Sequence, residues 1–115
     1  HQIYELRWDE HKKHLKTINP NQPEIWSSAT LYNKEAAELR RNWFFSWMEK
    51  HKDAVDFKIA DFHNKRHGNS IENDILMKRD DGLETISLSQ IMVEAGDCRF
   101  NYKDMKNPKF YSRVI

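Results

Sequence analysis

The feature that most constrains the fold is an aromatic stripe in the segment 33–52. Apolar residues recur there at the spacing of one helical face: Ala36, Leu39, Trp43 and Trp47, with Phe44 and Met48 beside them. Asn33 suits the N-cap of this helix, and Lys50, His51 and Lys52 place positive charge at its end. Because side chains of this size are not left bare, the stripe predicts a second layer of structure that covers the helix.

A second helix is predicted to begin at Asp53, which suits an N-cap. Val55, Ile59 and Phe62 share one face of this helix. Gly68 suits the position just after its end, where glycine is favoured.

The remaining elements are predicted as short strands and loops. Residues 3–8 form a strand, residues 9–24 form a polar loop that contains Pro20 and Pro23, and a short strand carries the stretch from Glu24 to Tyr32. A brief apolar run follows at 75–77, then a turn at 80–82, and then a hairpin of residues 83–93 and 98–102 with a break at 94–97.

The hairpin is predicted to have two different faces, because successive strand residues point to opposite sides of a sheet. One face carries Ile86, Leu88 and Met92, which are expected to meet the helices. The other face carries the hydroxyl ladder, defined as Thr85, Ser87 and Ser89. On the second strand Cys98, Phe100 and Tyr102 share a face.

These elements predict an α+β fold in which two helices pack on an antiparallel sheet, since the alternation of a parallel βαβ fold is absent. Residues 1–105 are expected to form one domain, and residues 106–115, which include Pro108, a peripheral tail.

Composition excludes several classes of function. The formal net charge is +1 and no run of Lys and Arg exceeds two residues, which disfavours a nucleic-acid partner. No apolar run approaches the ~18 residues of a membrane span. The single cysteine, Cys98, excludes an internal disulfide and suits a reducing compartment, so a cytoplasmic location is expected.

Two histidine pairs are candidate metal ligands, because their spacings would place both rings on one face of a helix. They are His11 with His14, and His63 with His67. Neither pair has the glutamate of a metalloprotease motif or an obvious third ligand, so no metal site and no cofactor are predicted. Cys98 is interpreted as a small buried apolar residue.

Two hydroxyl-rich stretches are the candidate binding residues. The first is Ser27, Ser28 and Thr30, which lie between Trp26 and Leu31; the second is the hydroxyl ladder. A ladder on a solvent-facing sheet would be ordinary, whereas small hydroxyls would also suit the close approach of a ligand or a second sheet. Both interpretations stay open. No Gly-x-Ser-x-Gly elbow is present to make any of these serines a nucleophile.

The order of four motifs resembles the C-terminal half of proteins of the NRDE family, relatives of the transport and Golgi organisation proteins, and most closely the bacterial branch. The motifs are W-S-S-x-T-L-Y at 26–32, R-x-x-W-F-x-x-W at 40–47, F-H at 62–63 and T-x-S-x-[ST]-Q at 85–90. The resemblance covers residues from about Tyr4 to Met105.

The resemblance implies half of an αββα sandwich of the N-terminal-nucleophile hydrolase type. In such proteins an early cysteine faces a cleft between two sheets. Neither that cysteine nor an Asn-Arg-Asp-Glu motif occurs here, and the chain begins with His1, so it is expected to be the back half of such a protein. Its expected partner is the N-terminal half, and the chain alone is not expected to be an enzyme.

The resemblance also implies a role for the candidate residues. Ser27, Ser28, Thr30 and the hydroxyl ladder would line the cleft, and His63 would support it. The whole protein would then be a cysteine amidohydrolase that acts on a small amide. The alternatives are a cleft that only binds or transports a hydrophobic or acyl-bearing ligand, such as haem or a lipid, and an interaction domain. The identity of the ligand is not predicted.

Overall fold

A computed structural model describes residues 2–53 and 58–115. The chain forms five strands and two helices within these ranges, and the predicted α+β class is confirmed. The elements are β1 Ile3–Trp8, β2 Lys13–Ile18, α1 Lys34–His51, α2 Ile59–His63, β3 Ser87–Glu94, β4 Asp97–Asp104 and β5 Phe110–Val114. The strands form two antiparallel sheets, β1-β2 and β3-β4-β5, where a single sheet was predicted.

The first sheet corrects the prediction of a loop over residues 9–24. β2 pairs with β1 in a register that sets Leu15 opposite Leu6 and Ile18 opposite Ile3. The turn is held by Asp9, whose Oδ1 accepts hydrogen bonds from the backbone N–H groups of His11 and Lys12. The polar composition that suggested a loop is that of an exposed ribbon, since only Ile18 among the residues of these two strands is buried.

The predicted strand over Glu24–Tyr32 is wrong. Residues 23–28 have no regular structure and residues 29–32 form a turn, in which the Tyr32 N–H donates to the Ser28 carbonyl at 3.1 Å. The Ser28 hydroxyl accepts from the Leu31 N–H and contacts the Thr30 hydroxyl. Short hydroxyl side chains that bond to nearby backbone favour turns over strands.

Helix α1 confirms the strongest sequence prediction. The Asn33 side chain accepts a hydrogen bond from the Ala36 N–H at 2.8 Å, which is an N-cap. Phe44 is 3% exposed, and Trp43 and Trp47 are half-buried against the core. Leu39 was expected to be buried but is 45% exposed.

Helix α2 is shorter than predicted. It begins at Ile59 rather than after Asp53, and the predicted contribution of Val55 lies outside the described residues. Its C-cap is Asn64, so Gly68 does not follow the helix end. Gly68 instead lies against the indole of Trp43, where a Cβ atom would come within 2.5 Å of Cζ2.

The segment between α2 and β3 contributes three buried residues, Asp74, Ile75 and Met77, although it forms no strand. Ile75 and Met77, predicted as a brief strand, are 5% and 8% exposed. Thr85 crosslinks this segment, because its hydroxyl donates to the Ile75 carbonyl and accepts from the Met77 N–H. The turn predicted at 80–82 is confirmed, with Gly82 at a φ of 88°.

The second sheet confirms the predicted hairpin and extends it. β3 and β4 pair through a tight turn in which Ala95 and Gly96 both have positive φ, as two-residue hairpin turns require. The final residues, predicted as a peripheral tail, contain β5, which pairs with β4 and whose side chains are all exposed. The tail therefore adds an edge strand to the sheet.

The core is small and aromatic. Phe62 is 0% exposed, and its ring lies edge-on to Phe44 at 5.4 Å, with Ile75 completing the buried cluster. Large apolar side chains also lie exposed on both sheets, among them Leu6, Trp8, Leu15, Ile91 and Val93. No helix within the described residues is long and apolar enough to cross a membrane.

Candidate functional site

The Ser27–Thr30 loop is held by an arginine of α1. The Arg40 Nε atom donates to the Ser27 hydroxyl at 3.2 Å, and its Nη1 donates to the carbonyls of Asn73 and Asp74 at 3.2 and 2.5 Å. Burial lowers the pKa of Arg40, while Tyr32 and Asp74 oppose that shift. The guanidinium therefore joins the loop to the buried segment around Asp74.

Tyr32 anchors the other end of the same loop. The guanidinium of Arg40 lies over its ring at 4.2 Å, and that of Arg79 at 5.7 Å. The Tyr32 hydroxyl donates to the Met77 sulfur, and Arg79 donates to the Leu31 carbonyl. Cation–π contacts of this kind add to the hydrogen bonds, so the loop has a fixed place on the domain although it lacks regular structure.

The predicted site residues do not gather in one place. Ser27 lines a cavity with Ile25, Glu38 and Arg41 on one side of α1, and Ser28 and Thr30 are exposed in the turn beside it. Thr85 uses its hydroxyl within the fold. It is thus held by the 75–77 segment, and Ser87 lies further along, opposite Asp104.

His63 and Ser89 do come together. They line a cavity of about 220 Å³ between α2 and β3, whose apolar walls are Ile59, Leu88 and Ile91. We call this the α2–β3 cavity. It lies at the open edge of the sheet, because β3 is the first strand in the order β3-β4-β5. Leu88 meets α2 here as predicted, whereas Ile86 is 56% exposed and does not fit that prediction.

The hydrogen bonding of His63 fixes its chemistry. Its Nδ1 lies 3.1 Å from the Ile59 carbonyl, which can only accept, so Nδ1 carries the proton. In the neutral ring Nε2 is then an acceptor, and no described residue bonds to it. The ring is further oriented by Phe62, whose ring meets it at right angles with centroids 5.2 Å apart.

Gln90 is a further residue of the α2–β3 cavity that the sequence did not single out. Its Oε1 accepts from Asn101 Nδ2 at 3.3 Å, and the Asn101 Oδ1 accepts from the Ser112 hydroxyl at 2.8 Å. This row crosses all three strands of the sheet, as the register requires. It holds the Gln90 amide with its NH₂ group left as a donor. Gln90 belongs to the sequence motif at 85–90, but the chemistry of a glutamine in a strand does not by itself indicate a binding role.

A second cavity shares Ala60, Leu88 and Gln90 with the α2–β3 cavity and extends toward Lys103. It is smaller, at about 100 Å³, and Lys103 donates there to the Asn64 side chain at 2.8 Å. The space beneath α2 therefore continues across the sheet.

The histidine pairs do not lie on helical faces as the spacing suggested. His14 lies in β2, where its Nε2 is 2.5 Å from Asp9 Oδ2, and His11 lies in the preceding turn. Helix α2 ends at His63, and the Nε2 of His67 is 2.8 Å from the Phe62 carbonyl. No group of three or more potential metal ligands occurs within the part of the chain that the structure describes.

Comparisons with family models, with curated proteins and with solved structures return no match to this chain.

The α2–β3 cavity is the candidate ligand site. Its lining combines the apolar residues Ile59, Leu88 and Ile91 with the polar residues His63 and Gln90. Cys98, the single cysteine, is half-buried in β4, opposite Val93 in the β3–β4 register and away from this cavity. The described residues therefore supply the means to orient a ligand.

Proposed function

We propose that this chain is the C-terminal portion of an NRDE-family, N-terminal-nucleophile-hydrolase-like protein, and that it lines a cleft for a small amide or acyl-bearing ligand. The motifs that carry the resemblance coincide with the anchoring contacts of the fold. Tyr32 and Arg40 hold the Ser27–Thr30 loop, Phe62 lies at the centre of the core, and Gln90 lines the α2–β3 cavity. Such coincidence is expected of residues that define a family's fold.

The observation that carries the ligand proposal is the meeting of His63 and Ser89 in one cavity. The two were selected from different segments, 26 positions apart by their numbering, and both line the α2–β3 cavity with apolar walls around them. A pocket with a mainly apolar lining and a few polar residues is a candidate binding site. Ser27, Ser28 and Thr30 lie elsewhere, and we assign them to the cleft through the resemblance alone.

The partner in this proposal is the preceding half of the same protein. Ile91 and Val93 on the second sheet are 67% and 71% exposed, and Leu6 and Leu15 on the ribbon are 66% and 68% exposed. Exposed apolar surface of this kind marks an interaction site. A preceding layer would cover it and would bring the nucleophilic cysteine of an amidohydrolase. Since the single thiol Cys98 suits a reducing compartment, the proposal includes a cytoplasmic location.

Non-catalytic binding or transport is the second candidate. The mainly apolar walls Ile59, Leu88 and Ile91 favour it, because they suit retention of an apolar group without requiring any reaction.

Hydrolysis of N-acyl amides by the whole protein separates the two candidates. The enzyme proposal predicts turnover that is lost when the first cysteine of the preceding half is changed to alanine, with ligand binding retained. Binding without turnover in both proteins would support the transport candidate and contradict the enzyme. A coding sequence with no preceding cysteine would contradict the enzyme directly, and a whole protein that neither turns over nor binds these amides would contradict both.

A further inference from the structure

The polar groups of the α2–β3 cavity form a donor and acceptor set. His63 offers an acceptor, because its Nδ1–H is committed to the Ile59 carbonyl. Gln90 offers an NH₂ donor, because its carbonyl oxygen is committed to Asn101. Both residues line the same cavity.

The direction of the hydrogen bonds in the row Ser112–Asn101–Gln90 determines that Gln90 offers a donor and not an acceptor. Ser112 donates to Asn101, and Asn101 donates to Gln90, so each carbonyl oxygen in the row is already an acceptor. The group at the end of the row that remains available to a ligand is the Gln90 NH₂. Hydrogen bonds in such rows polarise and orient one another, which makes this donor a fixed feature of the cavity.

We propose that the α2–β3 cavity recognises a neutral carboxamide on a short alkyl chain. The ligand C=O accepts from the Gln90 NH₂, its N–H donates to His63 Nε2, and its alkyl chain lies against Ile59, Leu88 and Ile91. This inference rests on the proposed function and specifies the functional group of the ligand that the cavity recognises.

A carboxylate fits the set poorly, since it has no proton to donate to His63 Nε2 and would lie among apolar walls. An ammonium group cannot accept from Gln90. Sites built around a fixed donor and acceptor reject analogues that leave a polar group unpaired, because that group has lost its water. The carboxamide is the group that satisfies both partners while remaining neutral.

The test uses the full 115-residue chain with hexanamide, hexanoate and N,N-dimethylhexanamide as probes. Binding is measured from the chemical shifts of the backbone amide resonances of α2 and β3. Hexanamide is expected to bind at least about tenfold more tightly than either other probe, because one hydrogen bond of about 1.4 kcal/mol corresponds to a factor of ten. Neither hexanoate nor N,N-dimethylhexanamide has an N–H donor. They differ in charge, because hexanoate is an anion and N,N-dimethylhexanamide keeps a neutral carbonyl.

Gln90→Glu is the decisive variant. It keeps an oxygen to accept from Asn101 and replaces the NH₂ donor with a carboxylate oxygen that cannot donate, so hexanamide binding is expected to weaken at least about tenfold. Gln22→Glu makes the same change in an exposed loop and is expected to leave binding unchanged. His63→Phe keeps a ring against Phe62 and is expected to abolish the preference for hexanamide over its dimethyl form.

Three results would overturn the inference. Equal binding of hexanamide and hexanoate, unaffected by Gln90→Glu, would refute carboxamide recognition and leave the proposed small-ligand cavity intact. Equal effects of Gln90→Glu and Gln22→Glu would show that the donor is not used. An absence of shifts in α2 and β3 with every probe would refute the cavity itself, whereas the fate of the proposed hydrolase is decided separately by the cysteine variant of the whole protein.

Discussion

Asp74 organises the segment that supports Arg40 and Trp43. It is 0% exposed, and its carboxylate accepts from the backbone N–H groups of His67, Gly68 and Ile75 at 2.6–3.1 Å. A buried carboxylate is tolerated when donors of this kind satisfy it. The residue therefore fixes the turn that follows α2.

Asp74→Asn is expected to lower the free energy of unfolding by about 2–4 kcal/mol, because an NH₂ group replaces an oxygen that faces N–H donors. Urea denaturation followed by tryptophan fluorescence measures the change. Asp80→Asn, at an exposed turn position, is the matched control and should change stability little. Equal stability of both variants would show that the donors around Asp74 are not needed.

The contact between Gly68 and Trp43 makes a second residue-scale prediction. A Cβ at position 68 would lie 2.5 and 2.7 Å from Cζ2 and Cη2 of the indole. Gly68→Ala is therefore expected to cost about 1–3 kcal/mol, as overpacking does. In a Trp43→Phe background, which lacks those two atoms, the same change should cost clearly less. Identical costs in the two backgrounds would exclude the steric explanation.

At the scale of elements, α1 depends on its cap. Asn33→Ala is expected to lower the free energy of unfolding by about 1 kcal/mol, because the Ala36 N–H loses its acceptor. Asn33→Asp keeps an oxygen there and should retain most of the stability. Thermal unfolding by circular dichroism measures both, and a full loss with Asp as well would mean that the cap oxygen is not the cause.

Glu24, which precedes the Ser27–Thr30 loop, is joined to α1 by an ion pair that responds to pH. The Arg41 guanidinium donates to Glu24 Oε1 at 2.6 Å and holds the pKa of that carboxyl below its ordinary 4.5. A pKa that is lower in the folded state contributes stability above the ordinary value, and this contribution is lost as pH falls through the folded value. The pair is partly exposed, so the contribution is small and is screened by salt.

Glu24→Gln should therefore lower the melting temperature near neutral pH and have progressively less effect as the pH falls below 4.5. Melting curves across this range at low salt test the prediction. Glu72→Gln, at an exposed acid outside α1, serves as the control for a general charge effect. A difference that persists unchanged in acid would contradict the assigned pair.

The elements that sequence reasoning found and missed differ in a physical way. Helix α1 and the β3–β4 hairpin carry periodic apolar residues and a distinct cap or turn, so local pattern was sufficient. β2 was missed because its pairing with β1 is a non-local contact and its sequence is mostly polar. The Glu24–Tyr32 strand was wrong because side-chain hydroxyls bond to the local backbone, and Arg40 holds the loop from a distance.

Local sequence pattern is also insufficient to predict which residues meet in the candidate site. His63 and Ser89 were selected by residue type, but their meeting depends on where α2 packs, and Gln90 gains its role only through Asn101 on the next strand. The resemblance implied one cleft for Ser27 and the hydroxyl ladder, whereas Ser27 lines a cavity beside α1 and Ser89 lines the α2–β3 cavity. Pairwise placement across elements is not encoded in the spacing of one segment.

At the scale of the molecule, the described core is small for the apolar surface that stays exposed. Phe44, Phe62 and Ile75 form the buried cluster, while Trp8, Leu15, Ile91 and Val93 are all more than half exposed. A two-stranded ribbon such as β1-β2 is only marginally stable by itself in water. The proposed preceding half would cover these side chains and stabilise the ribbon.

The proposed covering of the exposed sheet faces is tested by amide hydrogen exchange of β1, β2 and β3. The exchange rates are compared between the 115-residue chain and the whole protein. Exchange at a strand slows when its opening requires a covering layer to detach. We expect the ribbon and the Ile91–Val93 region to exchange markedly more slowly in the whole protein, while the centre of α1 around Phe44 changes little. Equal exchange of the strands in the two proteins would contradict the claim that the exposed sheet faces are an interface.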